Sequence, residues 1–265
     1  MISVLVNGAD GRMGSEVVKA VIADPELRLV GGVSLSHVGE DIGTVIGIPY
    51  TGLCIVDDLK KALQLYQPQV VVDFTTPAAI YKNAEICLQQ GVNMVVGTTG
   101  LTAAQREQLG KLATAKEVSI FIAPNFSIGA VLMMRFAKEA APYLPDVEII
   151  ELHHNNKLDA PSGTSIMTAN YIAEARQAAK VEAAVDRTQE SLAGARGATV
   201  AGIPVHSVRL PGYVAHQQVL FGGYGELLTI RHDSLDRKSF MPGVILAIKK
   251  VHTKIGLTFG LEHYL

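Results

Sequence analysis

Two histidines, a lysine and a Ser-Gly-Thr sequence lie close together within residues 151–165 of the chain. They are His153, His154, Lys157, Ser162, Gly163 and Thr164. A histidine donates or accepts a proton near neutral pH, and a neighbouring lysine supplies a positive charge for an anionic substrate. This combination of residue types predicts acid-base chemistry on an anion.

The spacing of these residues predicts that two of them act together. His153 and Lys157 are four positions apart, which puts them on one face of either an extended or a helical segment. In an extended segment His154 points to the opposite face. We therefore expect His153 and Lys157 to converge and His154 to serve a different purpose.

The Ser-Gly-Thr sequence lies between a predicted strand at residues 147–152 and a predicted helix that begins near residue 165. Backbone N–H groups at a helix N-terminus, together with hydroxyl groups, form a cradle for a carboxylate or a phosphate. A purely structural explanation stays open for Ser162, as the N-cap, and for Asp159, as a turn residue.

Two other kinds of site fit this segment less well. A metal site would use His153, His154 and Asp159, but the spacing is not H-E-x-x-H and no cysteine or glutamate is suitably placed. Ser162 lacks the strand-turn-helix context of a serine nucleophile. We predict no metal.

A glycine-rich turn near the start of the chain predicts a dinucleotide site. Glycines 8, 11 and 14 follow an apolar run at residues 2–6 and precede a helical pattern at residues 16–22. Small residues let the backbone approach a pyrophosphate at a helix N-terminus. A tight turn between strand and helix, without a ligand, is the alternative.

Further apolar runs alternate with helical patterns and predict more strands, at residues 27–33, 70–74, 92–96 and 118–122. We predict an α/β fold with an N-terminal Rossmann-type, doubly wound parallel sheet. Ligands of such sheets lie beyond the carboxyl ends of the strands. The turns expected at that edge are residues 8–14, 34–37, 75–77, 97–100 and 123–127.

The residues after the second strand bear on cofactor choice. An NAD-preferring site has an acidic residue there, whereas this chain has Ser34, Leu35, Ser36 and His37. Without a carboxylate there is no repulsion of a 2′-phosphate, and Ser34, Ser36, His37 and Arg12 are possible donors to it. We predict NADPH, with NADH as the alternative.

Beyond residue 127 the pattern changes to that of a second, α+β domain with a mixed or antiparallel sheet. Helices are predicted at residues 128–141 and 165–179, and strands at residues 205–210, 218–221 and 226–231. Residues 180–202 lack periodicity and predict a long loop.

Two domains are therefore expected. Residues 1–127 form a dinucleotide-binding domain, which residues 241–265 complete through an amphipathic helix at residues 242–251. Residues 128–240 form a substrate-binding and oligomerisation domain.

Composition excludes several functional classes. The chain has 265 residues and a formal net charge of -2, which implies no general attraction to nucleic acid or to anionic membranes. Its cysteines, Cys54 and Cys87, have no C-x-x-C spacing. No apolar run approaches the roughly 18 residues that span a bilayer, and no leader is recognisable. We predict a cytoplasmic protein.

The sequence resembles the dihydrodipicolinate reductase family, also called 4-hydroxy-tetrahydrodipicolinate reductases, of the diaminopimelate route to lysine. The resemblance covers essentially the full length. It rests on residues 8–14, 72–75, 96–100 and 123–127 and, most specifically, on H-H-x-x-K-x-D-A-P-S-G-T at residues 153–164. It implies NAD(P)H-dependent reduction of 4-hydroxy-tetrahydrodipicolinate to tetrahydrodipicolinate.

The resemblance also implies residue roles. His153 would be the general acid/base and Lys157 the proton donor or charge partner. The substrate dicarboxylate would be held by His154, Ser162, Gly163 and Thr164. The nicotinamide cofactor would be contacted by Gly8, Ala9, Asp10, Gly11, Arg12, Met13, Gly97, Thr98, Thr99, Ala123, Pro124, Asn125 and Phe126.

The resemblance further implies an oligomer and qualifies the choice of cofactor. The family's second domain builds a homotetramer, or a dimer in some branches, through its sheet. Some members carry an acidic-basic pair where this chain has Leu35 and Ser36, and its absence agrees with NADPH.

Two rival functions are compatible with the cofactor loops. A semialdehyde dehydrogenase-like enzyme of two-domain Rossmann form would use a cysteine nucleophile in the second domain, but both cysteines lie in the first. A non-enzymatic NADPH-sensing module would need the cofactor loops but neither His153 nor Lys157.

Overall fold

The structure is a computed structural model that describes residues 1–265. The chain forms two compact units, Met1–Phe126 together with Phe240–Leu265, and Ser127–Ser239. The sequence placed the corresponding boundaries after residues 127 and 240.

Twelve strands and eight α-helices make up the two units. The strands are β1 (Ile2–Asn7), β2 (Leu27–Val33), β3 (Ile55–Val56), β4 (Val70–Asp73), β5 (Asn93–Val96), β6 (Ser119–Ile122), β7 (Asp146–His153), β8 (Ala198–Val200), β9 (Ile203–Arg209), β10 (Ala215–Gly223), β11 (Glu226–Ser234) and β12 (Gly256–Phe259). The helices are α1 (Gly14–Ala23), α2 (Ile42–Ile46), α3 (Leu59–Tyr66), α4 (Ile80–Gln89), α5 (Ala103–Ala115), α6 (Ile128–Ala140), α7 (Gly163–Ala179) and α8 (Met241–Lys250).

A seven-stranded sheet in the order β12-β6-β5-β4-β1-β2-β3 forms the centre of the first unit. All of its strand pairs are parallel. Every residue of β4 and β6 is buried, as expected for strands with helices over both faces. The predicted Rossmann-type sheet is confirmed.

Two edge strands of this sheet were not predicted. β3 has only two residues and pairs with the end of β2, so it is too short to show a periodic pattern. β12 lies near the end of the chain and pairs with β6. An edge strand forms a ladder on one side only, and its sequence is therefore less constrained than that of a central strand.

A five-stranded sheet in the order β11-β10-β7-β9-β8 forms the second unit together with α6 and α7. β7 and β9 are parallel, and the other pairs are antiparallel. The predicted mixed sheet is confirmed.

The structure differs from the prediction in two segments of the second unit. The predicted loop at residues 180–202 contains β8, which forms a hairpin with β9 through Ala201 and Gly202, both at positive φ. The run predicted at residues 218–221 is part of the longer β10. Hydrogen-bonded pairing with neighbours, rather than local hydrophobicity, extends both elements. None of the helices combines the length and the hydrophobicity that a bilayer-spanning segment needs.

Candidate functional site

The end of β7 carries a histidine supported by a buried carboxylate. Glu151 and His153 lie two positions apart, on the same face of the strand. Glu151 is fully buried, and its carboxylate contacts Nδ1 of His153. Arg209, on the adjacent β9, donates to both oxygens of this carboxylate at 2.8 Å. Burial opposes ionisation of Glu151, but the hydrogen bonds from His153 and Arg209 outweigh it and lower its pKa to about 2.

Arg209 also reaches the loop that follows β7. Its Nη2 donates to the backbone oxygen of Asp159 at 2.7 Å. The carboxylate of Asp159 accepts hydrogen bonds from Nζ of Lys157 at 2.8 and 3.0 Å, which lower the pKa of Asp159. The guanidinium group therefore connects the strand end to the loop that carries the lysine.

The structure places His153 and Lys157 each against a carboxylate. The spacing argument assumed that one regular segment runs through both residues. Instead β7 ends at His153, and the chain then turns, with the Lys157 N–H donating to the His154 oxygen at 3.2 Å. The contacts with Glu151 and Asp159 were not foreseen. Convergence of the two side chains on a substrate stays a prediction.

His154 is half-buried, and its Nδ1 is a buried atom without a hydrogen-bond partner. Leaving a buried polar group unsatisfied costs about 1–3 kcal/mol, so such atoms are uncommon unless they serve a ligand or a mechanism. The unpartnered Nδ1 of His154 is therefore a feature expected at a ligand-binding site.

The Ser-Gly-Thr sequence forms the N-terminus of α7. Ser162 is buried and is the N-cap, with Oγ accepting from the Ser165 N–H at 3.1 Å. A Cβ built on Gly163 would meet no atom within 4 Å, so the backbone there borders open space. Helix N-termini attract anions.

A glutamine holds this helix end against the sheet. Gln217, on β10, accepts from Oγ of Ser165 and donates to Oγ1 of Thr168, both at 2.8 Å. All three residues are buried. The first turn of α7 is thus fixed by a polar network that sequence reasoning missed.

The glycine-rich turn of the first unit is packed so closely that glycine is required. Gly8 has φ +82°, and a Cβ there would lie 2.6 Å from the Phe74 oxygen. A Cβ on Gly14 would lie 1.9 Å from the Gly8 oxygen. α1 starts after Met13 without a side-chain cap, so no side chain competes with a phosphate for the N–H groups of this helix end.

A cavity of about 820 Å³ opens beside this turn. Of the predicted cofactor residues, Gly8 and Gly11 line it, and Ser34 is the one predicted 2′-phosphate donor on its wall. The sequence prediction missed its charged residues, which are Asp57, Asp58, Lys60, Lys61 and Lys82.

A buried aspartate joins the strand ends around this cavity. Asp73 is fully buried, and its carboxylate accepts from Asn7 Nδ2 at 2.7 Å, Asn83 Nδ2 at 2.9 Å and Thr98 Oγ1 at 2.8 Å. It also accepts from the Thr75 hydroxyl at 2.7 Å. The sequence signal that could have indicated this role is an aspartate at the end of an apolar run.

The remaining predicted cofactor residues differ in exposure. Four are buried, namely Ala9, Thr98, Ala123 and Phe126; four are half-buried, namely Asp10, Met13, Gly97 and Asn125; and three are exposed, namely Arg12, Thr99 and Pro124. Among the buried ones, Thr98 donates to the Asp73 carboxylate at 2.8 Å, whereas Phe126 packs against other aromatic rings. The centroids of the Phe126 and Phe74 rings are 5.7 Å apart.

The Rossmann-type sheet with its glycine turn, and the second unit with its histidine-lysine segment, define an NAD(P)H-dependent oxidoreductase. The N-terminal domain of dihydrodipicolinate reductase matches residues 2–126, and the C-terminal domain matches residues 129–265. The chain belongs to the dihydrodipicolinate reductase family.

Similar proteins agree with this membership. The 4-hydroxy-tetrahydrodipicolinate reductase of Moorella thermoacetica is 48% identical over 266 residues, which cover 100% of this chain and 98% of the relative. That of Syntrophomonas wolfei is 50% identical, covering 99% and 98%. A dipicolinate-bound dihydrodipicolinate reductase from Paenisporosarcina sp. TG-14 has a TM-score of 0.88 at 45% identity, covering all of both chains.

A more distant solved structure shares only the fold. An amine dehydrogenase from Mycobacterium smegmatis has a TM-score of 0.67 at 15% identity, covering 97% of this chain and 94% of that chain.

Proposed function

We propose that the chain catalyses the NAD(P)H-dependent reduction of 4-hydroxy-tetrahydrodipicolinate to tetrahydrodipicolinate, with acid-base chemistry at His153. The observation that carries this assignment is the strand end where His153 contacts the buried carboxylate of Glu151. A non-enzymatic sensing module has no need of such a supported histidine. Family membership supports the same reaction.

The first unit provides the residues that would hold the cofactor, and they fit it. The tight turn at Gly8 and the uncapped start of α1 suit a pyrophosphate. Gly11 and Ser34 border the adjoining cavity. When bound, the nicotinamide supplies a hydride.

The second unit would supply the proton. Reduction takes up one hydride and one proton as the substrate hydroxyl leaves as water. Nδ1 of His153 is engaged by Glu151, which leaves Nε2 as the ring nitrogen that exchanges a proton with the substrate. Lys157 provides a positive charge, and Asp159 holds its ammonium group until an anionic substrate competes for it.

The substrate class follows from the same segment. Dipicolinate, the ligand of the Paenisporosarcina relative, is a flat ring with two carboxylates. We propose that this chain binds a cyclic dicarboxylate through the unpartnered Nδ1 of His154 and the α7 N-terminus formed by Ser162, Gly163 and Thr164.

One assay tests the proposed function. NADPH oxidation is followed after adding 4-hydroxy-tetrahydrodipicolinate freshly made by the preceding synthase reaction. We expect turnover that depends on this substrate and is inhibited competitively by dipicolinate. Oxidation that is equally fast with an aldehyde or a semialdehyde in its place, or no turnover at all, would contradict the assignment.

We propose NADPH as the preferred cofactor. Ser34 borders the cavity where a ribose would lie, and three lysines that line this cavity, Lys60, Lys61 and Lys82, outnumber its two carboxylates, Asp57 and Asp58, and would supply positive charge for a 2′-phosphate. Asp58 is engaged as the α3 N-cap, because its carboxylate accepts from the Lys61 N–H at 3.0 Å.

Comparison of kcat/KM for NADPH and NADH tests the proposed preference. Ser34→Asp should lower kcat/KM for NADPH more than for NADH, with Ser34→Ala as the control, and a wild-type preference for NADH would refute it.

We propose that the chain forms a homotetramer through the open face of the five-stranded sheet. Gln217 faces α7, and the alternate residues Ile150, Leu152 and Leu220 lie half-exposed on the other face. Light scattering should give about four times the chain mass of 28.3 kDa, and a monomer would refute the proposal.

We also propose a cytoplasmic location, which fits the free thiols of Cys54 and Cys87.

A further inference from the structure

We propose that Glu151 is the residue that positions His153, and that Arg209 extends this positioning to Lys157 through Asp159. The proposal rests on the proposed function, because it explains how that function's acid-base residue is oriented. It concerns two residues, Glu151 and Arg209, to which sequence reasoning gave no role.

The burial of Glu151 is the first step. A carboxylate that is removed from water needs compensating partners, and Glu151 has them in His153 and Arg209. Buried ion pairs are often no more stabilising than apolar residues of similar size, so stability alone is a weak reason for this arrangement. A role in orienting one of the partners accounts for it better.

The identity of the contacted nitrogen is the second step. An ionised carboxylate only accepts hydrogen bonds, so Nδ1 of His153 must carry the hydrogen in its contact with Glu151. Neutral His153 then has a free lone pair on Nε2, and protonated His153 has an N–H there. The contact therefore fixes both the ring orientation and the nitrogen that exchanges the proton.

The geometry of Arg209 is the third step. Its two terminal nitrogens bind the two Glu151 oxygens at 2.8 Å, a fork that fixes the plane of the carboxylate. Nη2 also binds the Asp159 oxygen at 2.7 Å, and the Asp159 side chain holds Lys157 Nζ at 2.8 Å. One planar cation thus links the supports of both predicted catalytic side chains.

The first test reads the histidine tautomer directly. Wild-type protein labelled with ¹⁵N-histidine is studied by long-range ¹H–¹⁵N NMR without ligands, and the His153 signals are assigned by their loss in His153→Gln. We expect neutral His153 to carry its hydrogen on Nδ1. A hydrogen on Nε2 would overturn the proposal. This measurement needs no turnover, so it is independent of the proposed function.

The second test compares two glutamates of β7. We expect Glu151→Gln to lower kcat by at least about tenfold, as loss of an orienting carboxylate does, with the substrate KM changed less than about twofold. In the same variant, His153 should no longer be held in the single tautomer that carries its hydrogen on Nδ1.

Glu148→Gln is the matched control, since Glu148 also contacts a histidine and an arginine. This variant should leave both kcat and the His153 tautomer unchanged. A kcat within about twofold of wild type in folded Glu151→Gln would overturn the proposal.

Arg209→Lys keeps the argument testable if Glu151→Gln does not fold. Lysine retains the charge but has no planar fork. We expect a lower kcat at similar KM and a mixed tautomer at His153, and wild-type values for both would overturn the role of Arg209. Substrate turnover by the wild-type enzyme tests the proposed function separately. If the wild type is active and its His153 carries the hydrogen on Nε2, only the positioning proposal fails.

Discussion

Strand β7 carries two clusters of the same composition on its opposite faces. Each contains a glutamate, a histidine and an arginine. On the inner face they are Glu151, His153 and Arg209, and on the outer face they are Glu148, His206 and Arg196. Because side chains alternate along a strand, a separation of three residues is sufficient to put the two glutamates on different faces.

The two clusters differ in burial and in the nitrogen that is used. The Glu151 side chain has no exposed surface, whereas 34% of the Glu148 side chain is exposed. His206 contacts Glu148 through Nε2 at 2.7 Å, whereas His153 contacts Glu151 through Nδ1. Only the inner cluster lies at the strand end next to residues 154–164, the proposed substrate-binding segment. Residue types alone therefore do not define a site; burial, geometry and position do.

The largest expected effect separates the two histidines. His153→Gln should lower kcat by at least about a hundredfold, the usual scale for loss of a general acid/base. His206→Gln should leave kcat within about twofold. NADPH oxidation with the dicarboxylate substrate measures both, and NADPH binding by calorimetry confirms that each variant is folded. Equal losses in the two variants would remove the functional distinction between the faces.

The second prediction concerns stability in acid. The pKa of Glu151 is held at about 2, below its ordinary 4.5, so the stability that this carboxylate contributes is complete above about pH 5 and is lost as the pH falls toward 2. The loss amounts to about 3 kcal/mol at most. Urea unfolding followed by circular dichroism at pH 6 and near pH 3 should show a smaller pH dependence in Glu151→Gln than in wild type. Burial opposes ionisation of Glu148 as well, but hydrogen bonds from Arg196 and His206 lower its pKa. Because its side chain is 34% exposed, Glu148→Gln should reduce the pH dependence less than Glu151→Gln does, and an equal or larger reduction would contradict the difference between the two clusters.

The third prediction compares adjacent glutamines on β10. Gln217 is buried on the inner face and holds the start of α7, whereas Gln218 is half-exposed on the outer face. Gln217→Leu should weaken dipicolinate binding by about fivefold, equivalent to roughly one net hydrogen bond. Gln218→Leu should have little effect. Calorimetric titration measures both affinities, and equal affinities would show that Gln217 does not support the proposed substrate-binding segment at the start of α7.

The smallest effect is expected at the outer arginine. Arg196 forms ion pairs with Glu148 and Asp186, and its side chain is 35% exposed. Exposed ion pairs contribute little and are screened by salt. Arg196→Ala should therefore leave kcat within about twofold at any salt concentration, whereas Arg209→Ala should not. A large loss of activity in Arg196→Ala would mean that the outer cluster is functional.

Local patterns in the sequence were sufficient for much of the fold. The glycine turn after β1 and the apolar runs of β2, β4, β5 and β6 gave the parallel sheet, because each is a contiguous pattern. The short strands β3, β8 and β12 were missed because they form by pairing with a neighbour at an edge.

The candidate site was predictable only in part, for a related reason. His153 and Lys157 stand out by type and spacing. Arg209 contacts Glu151 across 58 positions of sequence, and such a pair depends on β7 and β9 being neighbours in parallel register. One clue was available: in the apolar run at residues 147–152, Glu151 shares a face with Val147 and Ile149, and a charge on the apolar face of a strand requires a partner.

The buried carboxylate of Asp73 has a consequence for the mobility of the cavity edge. It accepts hydrogen bonds from Asn7, Thr75 and Thr98, which stand at the ends of β1, β4 and β5. A local opening of any one of these turns would remove a hydrogen bond from this fully buried carboxyl group and weaken the network that the other turns share. The three turns are therefore expected to open together, as one cooperative unit. Their amide hydrogens should exchange with solvent at similar rates, and Asp73→Asn should accelerate exchange in all three at once.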